Sequence, residues 1–429
     1  MTSPGSIRYP PPASLAVPQV LSVPGVEAPL GFVAVDSLIQ DRAHGGLRMA
    51  PVVREHELSS LAHTMTLKYG FLRMPFGGAK GGVRGDPEAA AAVREAVLSA
   101  FGLALAPLLQ ARIYAPAPDM GTDAADIRRV YQVAGVPVSS RQLRVEQSGR
   151  HTALTVFHSA RRAAEVIGLS LAGSRVAIEG FGKVGDSLAG LLHNAGASVV
   201  AISTTAGAAY DPDGLDLGCM CALAAEHGRM AVQVYGRKTW LPSAALLELP
   251  VDILLPCAGY ESIHTGNADR IRARLVCPGA NNPVAPGAEE ALRGRGVLII
   301  PDFVANCGGV LGSVLAFASL PPAEIERLLE RQIDSHLGGL LAEAERQHLP
   351  LRTVAEAIAL RRFDEMRQAS ARAGLTGGVF SLGMTLYRAG LVPRPVFAAL
   401  ARRSVIRRMR WDDIEGSGAA TADPAAVVR

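Results

Sequence analysis

The sequence predicts an α/β protein with two domains and a C-terminal helical segment. Its 429 residues exceed a usual single domain of about 100 to 200 residues. After residue 150, short apolar stretches alternate with helical patterns, which is typical of a parallel sheet. A long helical pattern follows residue 320. We assign residues 1–25 to a flexible arm, 26–150 to the first domain, 151–320 to the second domain, and 321–429 to a helical segment with a tail.

The first part of the chain mixes strand and helix patterns. Prolines in "MTSPGSIRYPPPASLAVPQV" indicate the arm, whereas "GFVAVDSLI" alternates like a strand. Helical spacing in "REHELSSLAHTMTLKYGF" predicts a helix, and a second helix is predicted over residues 87–106. We expect "GGLRMAP" to be a loop and "ARIYAPAPDMGTD" to be a short strand that opens into a loop.

The second part alternates apolar strands with helices. Strands are predicted at "RVAIEG", "ASVVAIS", "VDILLPC", "RLVCPG" and "GVLIIPD", and a helix at "DSLAGLLHNAG". Helical periodicity then marks Pro322–Gln347, which we expect to pack back on the first domain, and Leu351–Met366. The last ~15 residues are small and polar enough to predict disorder.

Composition argues against several classes of partner. No uncharged apolar run approaches the roughly 20 residues of a membrane span, and the N-terminus does not resemble a secretory signal. Net charge is only +4, and a helix face or subunit contact explains the basic run "ARRSVIRRMRW" better than nucleic-acid binding. Five cysteines without a common zinc spacing favour reduced thiols in a cytoplasm and no metal site.

A glycine fingerprint opens the second domain. "GFGKVG" has the G-x-G-x-x-G pattern, follows an apolar strand and begins a helix. Such glycines permit a tight turn and the close approach of a pyrophosphate, whose charge the helix N-terminus stabilises. The segment therefore predicts a Rossmann-like dinucleotide-binding domain. Its cofactor contacts would come from Gly180, Phe181, Gly182, Lys183, Val184 and Gly185.

The choice between NAD and NADP stays open. An acidic residue about 20 positions after the fingerprint usually holds the adenosine ribose. The next strand instead ends in Ser203, Thr204 and Thr205, and Thr204 is the candidate ribose contact. Loss of the carboxylate removes repulsion against a 2′-phosphate, but no lysine or arginine is near in sequence to attract one.

A second glycine-rich segment, "FLRMPFGGAKGGVRGDP", carries Lys80 between two glycine pairs. A phosphate loop of the Walker type needs a serine or threonine directly after its lysine, and Gly81 stands there. The glycines instead let backbone and substrate crowd around one amine. Such desolvation lowers the pKa of a lysine, from about 10.4 toward the 7 or 8 that proton transfer needs.

Several motifs resemble, in order, one enzyme superfamily. "GGLRMAP", "MTLKYG", "PFGGAKGG", "PAPDMGT", "GANNP" and "IPDFVANCGGV" are similar to motifs of the glutamate, leucine, phenylalanine and valine dehydrogenases. The GGAKGG form is most similar to the glutamate branch. The resemblance covers residues 30–365 and implies a substrate domain, a coenzyme domain and a cleft that closes for hydride transfer.

The resemblance implies roles for individual residues. Lys80 matches the lysine that activates water, and Asp119 the aspartate that carries protons to and from the substrate amine. Lys68 matches the lysine that binds the substrate α-carboxylate. Without the resemblance, Asp119 would be a turn or cap residue and Lys68 a solvated helix residue.

Further matches concern the coenzyme and the substrate side chain. Thr152, Asn281 and Asn306 match residues beside the nicotinamide, although Ala153 and Thr155 replace glycines near Thr152; alone, the asparagines would be loop formers. Ser313 matches a serine of the glutamate branch. His44 stands where that branch has a lysine for the distal carboxylate and leucine-like enzymes have an apolar residue; a purely structural role for His44 is the alternative.

Three hypotheses follow. The first is reversible, NAD(P)-dependent oxidative deamination of an L-amino acid, with glutamate favoured, to a 2-oxo acid and ammonia, in a homo-oligomer. The second keeps this chemistry for a noncanonical, branched or aromatic amino acid or imine, because of His44 and about 60 residues beyond the resemblance. The third is an inactive dinucleotide-binding regulatory protein, which the joint presence of Lys68, Lys80 and Asp119 disfavours.

Overall fold

A computed structural model describes residues 18–25, 28–138, 147–236, 239–318 and 320–372. These residues form two compact units, one built from 18–138 with 358–372 and the other from 147–357. The start of the predicted arm, the C-terminal tail with its predicted disorder, and the basic run at 401–411 lie outside the described residues.

The first unit is built on a five-stranded mixed sheet. Its strands are β1 (Gln19–Val23), β2 (Gly31–Val35), β3 (Ala43–Ala50), β4 (Gly77–Arg84) and β5 (Tyr114–Pro118), in the order β1-β2-β4-β3-β5. β3 is parallel to β4 and β5, whereas β2 is antiparallel to β1 and β4. The segment that carries Lys80 is therefore the central strand.

Two segments predicted to be irregular are strands instead. The prediction of a flexible arm is wrong for Gln19–Val23, because these residues form β1, which pairs along its whole length with β2. The loop predicted for "GGLRMAP" is wrong because these residues belong largely to β3. A Cβ on Gly45 would lie 1.6 Å from the carbonyl oxygen of Ala79, so this glycine serves close strand pairing rather than a turn.

Helices of the first unit cover the sheet. They are α1 (Glu55–Phe71), α2 (Ala91–Ala104), α3 (Ala106–Gln110) and α4 (Ala124–Val133). α1 confirms the predicted helix within one residue, whereas the second predicted helix begins later and is interrupted at Leu105. The core between sheet and helices includes Leu47, Val83, Phe101 and Ile127.

The second unit is built on a seven-stranded sheet. Its strands are β6 (Arg175–Glu179), β7 (Ser198–Thr204), β8 (Gly207–Tyr210), β9 (Thr239–Leu241), β10 (Ile253–Pro256), β11 (Leu275–Val276) and β12 (Leu298–Ile299). The order is β12-β11-β10-β6-β7-β8-β9. The five predicted strands are confirmed and run parallel, while β8 and β9 form an antiparallel edge that we did not predict.

Helices of the second unit are α5 (Ser148–Val166), α6 (Lys183–Asn194), α7 (Leu217–His227), α8 (Ala231–Val234), α9 (Pro286–Gly294), α10 (Asp302–Ala305), α11 (Gly308–Phe317) and α12 (Pro322–Gln347). α12 has the predicted bounds. Its expected packing on the first domain is wrong, because it packs on α5 through buried leucines and the Arg161–Asp334 ion pair at 3.0 Å.

The last described helix is α13 (Leu351–Arg372). Its residues from 358 onward belong to the first unit. A Cβ on Gly70 would lie 2.1 Å from the carbonyl oxygen of Ala359, so α1 and α13 touch at backbone distance. Nη1 of the buried Arg362 donates to the carbonyl oxygen of Phe71 at 3.3 Å. The predicted return of a C-terminal helical segment is thus confirmed for this later helix.

Within the described residues, none of the helices is both long and apolar enough to cross a membrane. The same part of the chain contains no group of three or more His, Cys, Asp and Glu side chains arranged for a metal ion.

Candidate active site

Lys80 lies in the middle of β4 with its side chain on the face that α1 covers. A Cβ on Gly78 would lie 2.4 Å from the backbone nitrogen of Thr66, and one on Gly82 would lie 2.9 Å from Leu58. Because side chains alternate along a strand, Lys80 shares this face with both glycines. The glycine pairs therefore let the helix lie directly on the strand and leave Lys80 only 2% exposed.

Asp119, which follows β5, is the ion-pair partner of Lys80. Its Oδ2 lies 2.7 Å from the Lys80 Nζ. β3 separates the two strands, and Gly46 on β3 leaves the space for this contact, because a Cβ there would lie 2.7 Å from the Asp119 Cβ. Two of the residues proposed for chemistry are thus in direct contact.

The pair shifts the pKa of both groups. Burial lowers the pKa of Lys80 and outweighs the opposing attraction of Asp119, while the nearby Arg48 charge lowers it further. Burial alone would raise the pKa of Asp119, but the charges of Lys80 and Arg48 together lower it to about 2. The site therefore favours an ionised carboxylate beside an amine that loses its proton more easily than usual.

The turn after β5 fixes the position of Asp119. The Thr122 hydroxyl donates to the carbonyl oxygen of Leu47 at 2.7 Å and accepts the backbone N–H of Asp119 at 3.0 Å. Gly121 has φ +76°, and a Cβ there would lie 2.2 Å from the carbonyl oxygen of Met49. The "DMGT" turn is thus fastened to β3, which explains why its glycine and threonine follow the aspartate.

Arg48 and Glu57 extend this cluster, and our sequence analysis missed both. Nε of Arg48 lies 3.6 Å from Oδ2 of Asp119, and Nη1 of Arg48 forms an ion pair with Glu57 of α1. Strand alternation in "HGGLR" would have placed Arg48 on the face of His44 and Gly46, but that segment was predicted to be a loop.

His44 and Lys68 occupy the same side of the first unit. His44 on β3 is in register with Gly78, two residues before Lys80, and its ring centroid lies 4.5 Å from that of Phe76. Phe76 in turn contacts Tyr69 edge to face, at 5.5 Å. Lys68 precedes Tyr69 in the last turn of α1 and is 4% exposed, so the alternative of a solvated helix lysine is wrong.

The fingerprint of the second unit has three glycines with three different surroundings. Gly180 has φ +92°, and a Cβ on Gly185 would lie 1.9 Å from the carbonyl oxygen of Gly180. Gly182 has open space around its Cβ position and stands directly before the first residue of α6. This arrangement fits a pyrophosphate against a helix N-terminus. Phe181 and Val184 are half-buried and Lys183 is exposed.

Asn281 and Asn306 follow the carboxyl ends of the parallel strands β11 and β12, so they lie at the same edge of the sheet as Gly180. Nδ2 of Asn306 donates to Oδ1 of Asn281 at 3.0 Å and to the carbonyl oxygen of Ala280 at 2.8 Å. The two predicted asparagines are therefore joined. Chain order reverses between β6 and β10, where dinucleotides bind in sheets of this type.

Thr152 and Ser313 both lie close to Gly309, where α5 contacts α11. A Cβ on Gly309 would lie 2.6 Å from Oγ1 of Thr152, and the Ser313 hydroxyl donates to the carbonyl oxygen of Gly309 at 2.6 Å. In addition, the Thr155 hydroxyl accepts the N–H of Gly308 at 3.0 Å. Thr155, which replaces a glycine of the resembling enzymes, thus has a structural role at this contact.

Thr204 ends β7 next to a residue that is distant in sequence. Its hydroxyl donates to the backbone carbonyl oxygen of Arg229 at 2.6 Å and accepts the N–H of Ala206 at 3.1 Å. Arg229 belongs to an exposed 3-10 turn, Gly228–Met230. A basic residue is therefore close in space to the candidate ribose site, which sequence distance had concealed.

Comparison with known proteins identifies two matched regions. Residues 145–371 match the family described as Glutamate/Leucine/Phenylalanine/Valine dehydrogenase, and residues 23–134 match the Glu/Leu/Phe/Val dehydrogenase dimerisation domain. A glutamate dehydrogenase from Thermotoga maritima is 32% identical over 82% of this chain and 88% of its own. A hetero-hexameric glutamate dehydrogenase from Thermus thermophilus, solved with leucine bound, has a TM-score of 0.68 at 28% identity and covers 78% of this chain and 84% of its own.

Relatives of both coenzyme types occur among these matches, since one is named an NADP-specific and another an NAD-specific glutamate dehydrogenase. The fold, the ordered motifs and the matched regions agree with one another. This chain belongs to the Glutamate/Leucine/Phenylalanine/Valine dehydrogenase family and is an NAD(P)-dependent amino acid dehydrogenase.

Proposed function

We propose that this enzyme interconverts an L-amino acid, glutamate as the first candidate, with its 2-oxo acid and ammonia through Lys80 and Asp119. The observation that carries the proposal is the buried Lys80–Asp119 pair at 2.7 Å. A lysine buried to this degree and paired with one carboxylate is suited to moving protons near neutral pH.

The two groups divide the proton chemistry of deamination. The coenzyme, when bound, would supply the acceptor for the hydride on the substrate Cα. As a neutral amine, Lys80 takes a proton from the water that attacks the resulting iminium carbon. Asp119 takes a proton from the substrate ammonium group before hydride transfer and returns it to the nitrogen of the carbinolamine. As the C–N bond breaks, Asp119 takes the hydroxyl proton, so that ammonia and the 2-oxo acid form. Before it takes the water proton Lys80 is neutral, so its attraction does not then lower the pKa of Asp119, and the carboxylate is a better base for the substrate ammonium group.

The coenzyme would be held by the carboxyl edge of the second sheet. The open Cβ position of Gly182 and the N-terminus of α6 would receive the pyrophosphate. The joined Asn281 and Asn306, with Thr152, would surround the nicotinamide end. This assignment makes the second unit the coenzyme domain and the first unit the substrate domain.

Two substrate classes compete for the side-chain site. Glutamate is favoured by the names of the relatives, by Ser313 and by Lys68 as the α-carboxylate partner. An aromatic or branched amino acid is favoured by one specific observation, the contact of His44 with Phe76 and of Phe76 with Tyr69. Where the glutamate branch has a flexible ammonium group, this chain has a histidine held against rings.

A panel of oxo acids separates these classes. Purified enzyme, ammonia and either NADH or NADPH are mixed with 2-oxoglutarate and with branched and aromatic oxo acids, and coenzyme absorbance is followed. We expect His44→Lys to raise kcat/KM for 2-oxoglutarate by about tenfold and to lower it for aromatic oxo acids. If no oxo acid in the panel is reduced, the dehydrogenase activity is refuted and the inactive regulatory protein becomes the better hypothesis.

We also propose a cytoplasmic homo-oligomer. The match of residues 23–134 to a dimerisation domain and the hexameric assembly of the Thermus relative support this. Light scattering coupled to size-exclusion chromatography measures the mass directly. A mass equal to one 44.9 kDa chain at micromolar concentration would contradict the proposal.

A further inference from the structure

We propose that Arg48, anchored by Glu57, is a positioning residue that favours the ionised carboxylate of Asp119 and the neutral amine of Lys80 at the steps where each of them accepts a proton. The inference rests on the proposed function for the roles of Lys80 and Asp119. It adds a second cation to the site, with a task that neither of those residues can perform.

The geometry places Arg48 as the second cationic partner of Asp119. Within the described residues, Nε of Arg48 has no hydrogen-bond partner, yet it lies 3.6 Å from the same Oδ2 that Lys80 contacts at 2.7 Å. A small movement of the carboxylate would complete a hydrogen bond. Asp119 thus has one cation that it already holds and a second within reach.

The ion pair with Glu57 keeps Arg48 in place. The Arg48 side chain is 11% exposed and that of Glu57 is 13% exposed, so solvent screens the pair only weakly. Arg48 is on β3 and Glu57 is in the first turn of α1. Both elements pack on β4, so the Arg48–Glu57 ion pair connects the sheet to the helix that covers Lys80.

The need for Arg48 follows from the proton that Lys80 must lose. Once Lys80 is neutral, the carboxylate of Asp119 has lost its nearest positive charge while still partly buried. A guanidinium cannot lose its proton in a protein, so Arg48 supplies a charge that persists through the cycle. Its like charge also opposes protonation of Lys80.

Three charged groups act on Lys80, and they act with different signs. Asp119 beyond β5 and Glu57 on α1 favour its charged form, whereas Arg48 on β3 disfavours it. On β2, the residue in register with Lys80 is the uncharged Ala34. α1 also carries the buried Lys68, another cation on that helix.

The first test is the pH profile of kcat/KM for oxidative deamination of the amino acid that corresponds to the best oxo acid of the panel. In Arg48→Met, the acidic limb is expected to move to higher pH by about one unit, because Lys80 keeps its proton longer. Arg48→Lys retains the charge and is expected to follow the wild type. Arg129→Met, which breaks an ion pair with Glu95 on the outer helices of the same unit, is the matched control and should leave the limb unchanged.

Glu57→Gln is expected to shift the acidic limb of the pH profile in the opposite direction. This variant removes a negative charge that favours protonated Lys80, so its acidic limb should move to lower pH. A merely structural ion pair would lower activity in both variants without moving either limb. An unmoved limb in Arg48→Met overturns the proposal.

A second measurement needs no turnover. Melting temperatures of Arg48→Met, Asp119→Asn and the double variant form a cycle, and we expect non-additivity of about 2 °C or more between these contacting groups. Additive changes refute the coupling. A wild type that reduces no oxo acid would refute the proposed function alone, because the cycle would still report whether Arg48 and Asp119 interact.

Discussion

Two glycine-rich segments of this chain each contain one lysine, and the two lysines have opposite surroundings. Lys80 in "GGAKGG" is 2% exposed and bound to Asp119. Lys183 in "GFGKVG" is exposed in the first turn of α6. One lysine is enclosed by its own domain, and the other is open to solvent beside the fingerprint glycines.

The glycines differ in the same way. In β4 none of them has a positive φ, and their value lies in the missing side chain, since Cβ atoms on Gly78 and Gly81 would collide with Thr66 and Tyr114. In the fingerprint, Gly180 needs its φ of +92° and Gly182 leaves open space. In β4, glycine thus allows close packing of neighbouring protein atoms. In the fingerprint, it leaves open space where a ligand could bind.

The largest expected difference concerns the lysines. Lys80→Ala removes the buried amine, and we expect kcat to fall by about a thousandfold or more, in the upper part of the range for a general base. Lys183→Ala removes an exposed charge and should change kcat by less than about threefold. Steady-state rates of the two purified variants give the comparison. Equal losses, or full activity in Lys80→Ala, would contradict the assignment of chemistry to β4.

The glycines give the next contrast. A Cβ in Gly78→Ala would meet the backbone of Thr66, so we expect a loss of about 1 to 3 kcal/mol in stability. Gly182→Ala has no atom to meet and a negative φ of −94°, so its stability should be unchanged. We expect instead a rise in coenzyme KM of about tenfold, since a methyl group enters the phosphate site.

Chemical denaturation and coenzyme titration of both variants distinguish the two uses of glycine. If Gly182→Ala unfolds more readily than Gly78→Ala, the open space at the fingerprint is not reserved for a ligand. If Gly78→Ala is as stable as the wild type, α1 does not need its close contact with β4.

Sequence alone predicted the second unit better than the first. The five parallel strands and the fingerprint were found because buried parallel strands are continuous apolar runs, which local composition reveals. "GGAKGG" and "GGLRMAP" lack that signal, since their glycines are permissive in any conformation. Their strand structure depends on contacts with α1 and with each other, which lie beyond local sequence.

The same limit applies to the candidate site. Lys80 and Asp119 were identified through ordered motifs, but their contact depends on Gly46, a residue of a third strand. Glu57 lies outside the quoted motifs, and Arg48 lies within "GGLRMAP" but was given no role, because only the register of β3 brings it to Asp119. Pairings across a sheet depend on topology, and a single sequence does not encode topology in any local pattern.

A smaller effect concerns the acids that accompany the two lysines. The pKa of Asp119 is lowered from 3.8 to about 2, so its ionised form stabilises the folded state above about pH 4, and this stabilisation is lost as the pH falls toward 2. For Asp119→Asn we expect a stability gap of up to about 2 kcal/mol relative to the wild type, which narrows across that window.

Asp186→Asn is the control from the fingerprint segment, because Asp186 is exposed in the first turn of α6. Melting temperatures of Asp119→Asn and the wild type should converge as the pH is lowered from about 6 to 3. Protonation of Asp119 in the wild type removes the stabilisation that the variant lacks at every pH. A gap that stays constant or widens at low pH would show that Asp119 is not stabilised by its ionised form.

The smallest expected effect concerns which coenzyme the fingerprint segment serves. In the first unit the carboxylate of Asp119 balances the charge of Lys80. In the second unit β7 ends in Thr204 rather than in a carboxylate, and the Thr204 hydroxyl contacts the backbone of Arg229. An exposed arginine there would attract a 2′-phosphate by about 1 kcal/mol. We therefore expect Arg229→Ala to lower kcat/KM for NADPH about fivefold, with less than a twofold change for NADH. Arg229→Lys keeps the charge and should retain most of the preference; equal changes for both coenzymes, or a wild type that does not use NADPH, would assign the ribose site to NAD.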